Sequence, residues 1–389
     1  MIAELDENEE VRRRDFPICA RKIYLAHAAD APLPRVVAEA MHAQVENASR
    51  DEKLFDESLA FIAETRAGVA SFLRAGTDEI SLTGPTSTGL SAIASGLDWS
   101  PEDEVVCYFD EYPANVYPWL ALQRRGVRVV FVKPPRTGEI TPEIVERALN
   151  KRTKLVALAS ANYCSGYRID VDGIGARCHE HGALFCVDGI QTLGAFPIPL
   201  ENVDFLSAGA QKWMLGPSGA GILYVKNSRR DLLWPAAIGG WNVQSPNFIA
   251  QPQIEFAAGG QKFEPGGYNY VPLAGMGAAI TLLSEVGAER VSARILQLTS
   301  TLRDAISEYG FEFLSPEAEN VRSGILTFRH ASGPSEQLIE TLHVNDVVVS
   351  LRRDRAGNGW LRVSPHFYNT HAEIMRVADL LKSCAKPRC

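Results

Sequence analysis

From residue 79 onward, short apolar runs alternate with longer stretches whose apolar residues recur at helical spacing. The runs are Glu79–Thr83, Glu104–Phe109, Val127–Val132, Leu155–Ser160, Leu184–Val187, Phe205–Ala208 and Gly221–Val225. Short apolar strands alternating with helices predict a mostly parallel seven-stranded sheet covered on both faces. Ahead of it, residues 35–74 read as two helices, with Phe55, Leu59, Ile62, Val69 and Phe72 near helical spacing. After Gly266-Gly267 the pattern changes. Two long helices are expected over 272–287 and 289–309, then strands near 311–314, 323–329, 346–351 and 360–363, and a helix from about 371. The expected division is therefore an N-terminal arm over 1–30, a large α/β domain over 31–265 and a smaller α+β domain over 266–389.

Ligands in open parallel sheets bind outside the carboxyl ends of the strands. Asp188 stands at the end of one predicted strand, and Lys212 follows the next, 24 positions later (212 − 188). Taken alone, such a pair reads as a structural ion pair, since most such residues are solvated charges. The two residue types also suit pyridoxal phosphate. That cofactor needs a lysine amine for its aldehyde and an acid to keep its pyridine nitrogen protonated. A free lysine has a pKa of about 10.4 and must lose its proton to attack an aldehyde, which a desolvated pocket favours. Gln191, three residues after Asp188, is in reach of the cofactor's phenolic oxygen. Thr83-Gly84-Pro85-Thr86-Ser87-Thr88-Gly89 precedes a predicted helix and reads either as an anion site or as an ordinary cap. Leu90 stands where a nucleotide P-loop needs its lysine, and no G-x-G-x-x-G follows the strand.

D-G-I-Q followed by D-F-L-S-A-G-A-Q-K-W-M-L-G-P-S-G-A-G-I-L-Y-V resembles the core signature of class V aminotransferase-type, fold type I pyridoxal phosphate enzymes. The resemblance spans roughly residues 23 to 380. It implies that Lys212 is the Schiff-base lysine, that Asp188 holds the pyridine nitrogen, and that Thr86 and Ser87 bind phosphate. Glu111-Tyr112-Pro113-Ala114-Asn115 resembles the family's E-H-x-x-N segment, so Tyr112 replaces a histidine that covers the cofactor. Stacking survives that change, whereas proton transfer by an imidazole does not. Asn162 stands where it could bond the cofactor or substrate, or equally stabilise a turn. Gln211 occupies a position where many members carry histidine. Phe263-Glu264-Pro265-Gly266-Gly267-Tyr268-Asn269 is similar to the E-x-G-T-x-N segment that reaches a neighbouring subunit's phosphate, with Gly267 in place of threonine and Asn269 kept. A homodimer with shared active sites is thereby implied. L-R-x-S-x-x-x-Y-N-T makes Arg362 the expected anchor for a substrate α-carboxylate, which arginine suits by its fork of donors. His27 lies in Y-L-x-H-A-x-x-x-P-L-P, a segment similar to one passing the active site, and is expected at the substrate or simply in a turn. Tyr163, Trp241 and His366 are further candidates for lining the pocket.

The resemblance implies an enzyme acting on the α-carbon of an amino acid, first of all an aminotransferase. A β-eliminating C–S lyase follows, then an isopenicillin N epimerase-like racemase or kynureninase-like hydrolysis. A pyridoxal phosphate fold reused as a binding protein is the rival outside catalysis. Cysteine desulfurase relatives need a mobile cysteine before the carboxylate arginine, and Arg352 to Gly359 contains none.

Composition narrows the classes further. With 46% hydrophobic and 22% charged residues, the 389-residue chain is ordinary for a globular protein. A net charge of −8 argues against nucleic acid as the partner. No run approaches the ~18 apolar residues of a membrane span. Seven scattered cysteines form no CxxC pair, no metal site is expected, and the cytoplasm is the expected location.

Overall fold

The computed structural model describes residues 1–50, 55–331 and 333–385. In chain order the strands are β1 (Ile23–Tyr24), β2 (Ile80–Thr83), β3 (Glu104–Cys107), β4 (Arg128–Phe131), β5 (Thr153–Ala159), β6 (Leu184–Asp188) and β7 (Phe205–Gly209). There follow β8 (Gly221–Val225), β9 (Phe311–Phe313), β10 (Leu326–His330), β11 (Val347–Val348), β12 (Ser350–Arg353) and β13 (Gly359–Val363). Each of the seven runs read from the sequence forms a strand of one seven-stranded sheet, in the order β2-β8-β7-β6-β5-β3-β4. Strands β3 to β7 pair in parallel, and β8 runs antiparallel to both of its neighbours.

The near-continuous apolar character of β6, β7 and β8 has a direct cause: every residue in them is buried. Alternate side chains enter opposite cores, as a sheet covered on both faces requires. Val156, Leu158, Phe185, Val187 and Leu206 pack under the helices Phe55–Leu73, Val171–Glu180 and Tyr270–Val286. Leu155, Ala157, Leu184, Cys186 and Phe205 meet Leu90 and Ile93 of the helix Thr86–Gly96.

The second sheet is antiparallel, in the order β12-β13-β10-β9. Leu326, Phe328, Leu361 and Val363 line its apolar face, against the helices Ala288–Ile306 and His371–Ala385. The hydrophobic core does not divide at residue 266. Leu273, Met276, Leu283 and Val291 belong to the core of the large sheet, whereas Leu298, Leu302 and Ile306 belong to that of the small one. The changeover falls within the helix Ala288–Ile306. The expected arm is divided too: Leu5 and Phe16 pack in the large core, and Leu25 in the small one.

Among the described residues no single helix is long and apolar enough to cross a membrane. Tyr270–Val286 and Ala288–Ile306 reach that composition only together, and they are bent by 81°.

Candidate active site

Asp188 is the last residue of β6, and Lys212 follows the end of β7 by three positions. Both lie at the carboxyl edge of the parallel strands, where loops from β3, β5, β6 and β7 converge. The loop carrying Lys212 is tightly tied. Ala210 donates its N–H to Ala220, and Leu215 donates to the Lys212 carbonyl. Fully buried Leu215 holds φ at 58°, a left-handed conformation that a leucine adopts only when its surroundings impose it.

Lys212 is 8% exposed, and its Nζ lies 5.3 Å over the ring of Tyr112. Burial pushes its pKa down to about 8; the Asp188 charge opposes the shift, and the charges of Arg362 and Arg352 add to it. Asp188 moves the other way, up to about 6, because burial outweighs the Ile190 N–H and the Lys212 charge. Ile190 donates to Oδ1 of Asp188 at 3.0 Å, while Oδ2 has no partner among the described residues. A second carboxyl lies beside this pair. Glu111 is 5% exposed, and burial, then the Asp188 charge, pushes it up to about 8. Its Oε2 has no partner. The sequence reading took Glu111 only as part of the Tyr112 segment; its burial was the missing signal.

The helix Thr86–Gly96 begins behind Pro85 with no side-chain cap; Thr88 donates its N–H to the Pro85 carbonyl, and the N–H groups ahead of it are left for an anion. Thr86 is buried, and its Oγ1 accepts from the Gly209 N–H, binding this helix to the end of β7. Ser87 is exposed at the same turn. Tyr112 is half exposed and meets Tyr163 edge-on, with ring centroids 5.7 Å apart. Gln211 has a buried Oε1 without a partner. Asn269 is exposed and precedes the helix Tyr270–Val286.

Three of the expected side chains are engaged by groups within the fold. His27, expected at the substrate, is fully buried, with Nδ1 on the Ser364 carbonyl and Nε2 on the Tyr368 hydroxyl. Both ring nitrogens are used within the fold, and burial holds its pKa well below the usual histidine range. Asn162 organises a turn: its Oδ1 accepts from the N–H groups of Cys164 and Ser165, and its Nδ2 donates to Asp110. Gln191, expected on the cofactor's phenolic oxygen, donates to Ala28 and accepts from Trp213 Nε1. Groups from distant parts of the chain hold His27 and Gln191, whereas Asn162 is held mainly by its own turn. His366 is likewise buried, between the Trp213 carbonyl and the Phe367 N–H.

Arg362, on β13, is 1% exposed. Its Nη1 donates to the Tyr163 carbonyl at 2.5 Å, while Nε and Nη2 have no partner. Burial first, and then the Arg352 charge, lowers its pKa to about 9. Arg352 was not singled out from the sequence, where its segment was searched only for cysteine.

These groups fit pyridoxal phosphate. A buried amine, a carboxylate oxygen without a partner, an uncapped helix start and an aromatic face stand at one sheet edge. Comparison with known proteins agrees with that donor set. The family model for aminotransferase class-V matches residues 23–377. A probable cysteine desulfurase of Methanothermobacter thermautotrophicus is 29% identical, covering 96% of this chain and 97% of its own. The apo cysteine desulfurase of Thermococcus onnurineus NA1 superposes with a TM-score of 0.89 at 23% identity, over 97% of this chain and 98% of that one. The cystine C-S lyase C-DES, solved with its product cysteine persulfide, superposes at 0.84 with 23% identity, over 94% and 99%. The chain thus belongs to the class V aminotransferase family and is a pyridoxal phosphate-dependent enzyme.

Proposed function

We propose that this enzyme acts at the α-carbon of an amino acid, with Lys212 as the amine that holds the cofactor and then moves the α-proton. The observation that carries this reading is the burial of the Lys212 amine over the Tyr112 ring at the carboxyl edge of β6 and β7, which lowers its pKa. When bound, the cofactor supplies an electron sink for the α-carbon. The uncapped start of the helix Thr86–Gly96, with Ser87, is placed to hold its phosphate. Asp188 offers its free Oδ2 to the ring nitrogen, and Tyr112 offers a covering face. Arg362 holds the α-carboxylate with Nε and Nη2. A free Lys212 amine with a pKa of about 8 takes and returns a proton near neutral pH, as a general base must.

Transamination is the first reading. β-Elimination is the second, and the desulfurase and lyase names of the relatives favour it. Sulfur transfer onto the enzyme's own thiol is not supported. Cys164 is 3% exposed, burial pushes it up to about 11, and residues 352–359 contain no cysteine. Assembly as a homodimer is part of the proposal. Phe55, Phe248, Ile249 and Ile254 are each at least half exposed, near the segment that ends in Asn269. Such apolar patches mark interaction surfaces.

A visible spectrum followed during additions of single amino acids separates the two chemistries. Transamination converts the cofactor to its amine form and releases a keto acid. Elimination leaves the cofactor spectrum in place while pyruvate and ammonia appear. If no amino acid alters the spectrum and none yields a keto acid or ammonia, the reading fails.

A further inference from the structure

Lys212 owes its place to the peptides around it. Its own carbonyl accepts from the Leu215 N–H, and that of Gln211 accepts from the Ala31 N–H. The next carbonyl, of Trp213, is held by a side chain: His366 Nε2 lies 3.0 Å from it. Nδ1 of the same ring accepts from the Phe367 N–H at 2.9 Å, so the proton sits on Nε2 and the imidazole is neutral. Burial keeps it neutral, pushing its pKa down to about 4 against the pull of the Trp213 carbonyl. The sequence suggests His366 as a pocket-lining residue. The folded chain leaves it 0% exposed, with both ring nitrogens committed.

The ring has a firm base. Its backbone N–H donates to Asn369 Oδ1, and Asn369 donates in turn to Glu373 on the helix His371–Ala385. Ser364, two residues earlier, donates its N–H to the Leu25 carbonyl and accepts at Oγ from the Ala28 N–H. Trp213, on the other side of the bond, is equally fixed. Its Nε1 donates to Gln191, and a Cβ at Gly194 would run into its carbonyl. Arg362 lies on β13, four residues before His366. One imidazole thus joins the segment of the carboxylate anchor to the loop of the reactive amine. His27, a buried neighbour with its ring 5.2 Å away, serves only Ser364 and Tyr368. A buried carbonyl deprived of its donor must turn to find another, and the backbone beside Lys212 turns with it.

We propose that His366 is a positioning residue for Lys212: its bond to the Trp213 carbonyl holds the lysine loop so that the amine stays buried at the sheet edge. This assignment rests on the reading of Lys212 as the amine that takes the cofactor.

The test compares His366→Asn with His366→Gln. Asparagine still accepts from the Phe367 N–H but is too short to reach Trp213, whereas glutamine carries an amide N–H out to where Nε2 stands. Urea unfolding establishes that each variant is folded. The readout is the pH midpoint of pyridoxal phosphate capture by the apoprotein, followed by the band that borohydride bleaches. With its loop released, the amine regains water, and its pKa rises from about 8 toward the ordinary ~10.4. His366→Asn should move the midpoint up by about one pH unit, or about tenfold slower capture at pH 7, and His366→Gln should stay near the wild type. The charges that face Lys212, from Asp188, Asp30, Arg362 and Arg352, are the same in all three proteins. A wild-type midpoint in a folded His366→Asn overturns the proposal. So does a His366→Gln midpoint that moves as far as that of His366→Asn, since the bond would then not be the cause. If His366→Asn does not fold, nitrogen-15 histidine spectra of the wild type decide. The His366 Nε2 signal should move when the cofactor is captured, and a signal that stays put overturns the proposal. If the wild type forms no bleachable band, the reading of Lys212 fails, and this assignment fails with it.

Discussion

Glu111→Gln should abolish a large part of the pH dependence of stability in the cofactor-free protein. The side chain is 5% exposed, and burial followed by the Asp188 charge raises its pKa from 4.5 to about 8. Between those two values the folded protein keeps a proton that the unfolded chain has released. Stability therefore falls as pH rises through this window, by about 1.36 kcal/mol per pH unit for one proton. From pH 5.5 to 7.5 the loss from this group is about 2.7 kcal/mol (2 × 1.36). Below pH 4.5 both states are protonated and the penalty is absent; above about 8 it is complete. Glutamine has nearly the same shape and does not ionise, so its own cost is the same at both pH values. The assay is urea unfolding of wild type and variant at pH 5.5 and 7.5. The variant should gain about 2–3 kcal/mol on the wild type between the two. A difference that does not change with pH, or one that moves in favour of the wild type, refutes the reasoning. A protonated Glu111 also has a consequence for the site, because it sets no second negative charge beside Asp188 at neutral pH.

Lys212→Ala should lose the visible band that borohydride bleaches, and a band that persists removes the lysine from its role. In the wild type, cofactor capture by the apoprotein should speed up with pH and level off above about 8, where the amine is free. Arg362→Ala should weaken amino acid binding about 10- to 100-fold, as loss of a charge-assisted pair does, with cofactor content unchanged. Unchanged substrate affinity counts against the anchor role. Gly194→Ala tests the support beneath Lys212. Gly194 has φ of 102°, and a Cβ there would run into the Trp213 carbonyl. A loss of about 2–4 kcal/mol is expected from strain and overpacking, and an unchanged urea midpoint would sink the idea.

The sheet was legible because its cause is local. Val156, Phe185, Val187 and Leu206 must be apolar wherever a strand is covered on both faces, and that demand shows in consecutive letters. Asp188 and Lys212 were legible as a pair for a related reason, since strand ends are readable and ligands gather at carboxyl edges. The positions of His27 and Gln191 were also legible, but the partners that engage them were not. His27 meets Ser364 and Tyr368 across more than 330 positions of sequence, and Gln191 reaches back to Ala28. Whether a polar side chain is free for a ligand depends on such partners, and no spacing rule reports them.

Arg352 is the sharper case. The letters R-R-D-R suggest that Asp354 neutralises the arginines beside it. Alternation along β12 sets Asp354 on the side opposite Arg353 and on that of Arg352, where Trp360 reaches it. Asp354 turns to Trp360 and Asn358 instead, so the anions for Arg353 and Arg355 come from Glu336 and Asp110. Arg352, on the face it shares with Arg362, receives none. An unpaired charge is defined by what fails to arrive, and every segment that could have supplied a partner lies elsewhere in the chain. Only the folded arrangement shows that these two arginines share one face of the small sheet and act together on one lysine.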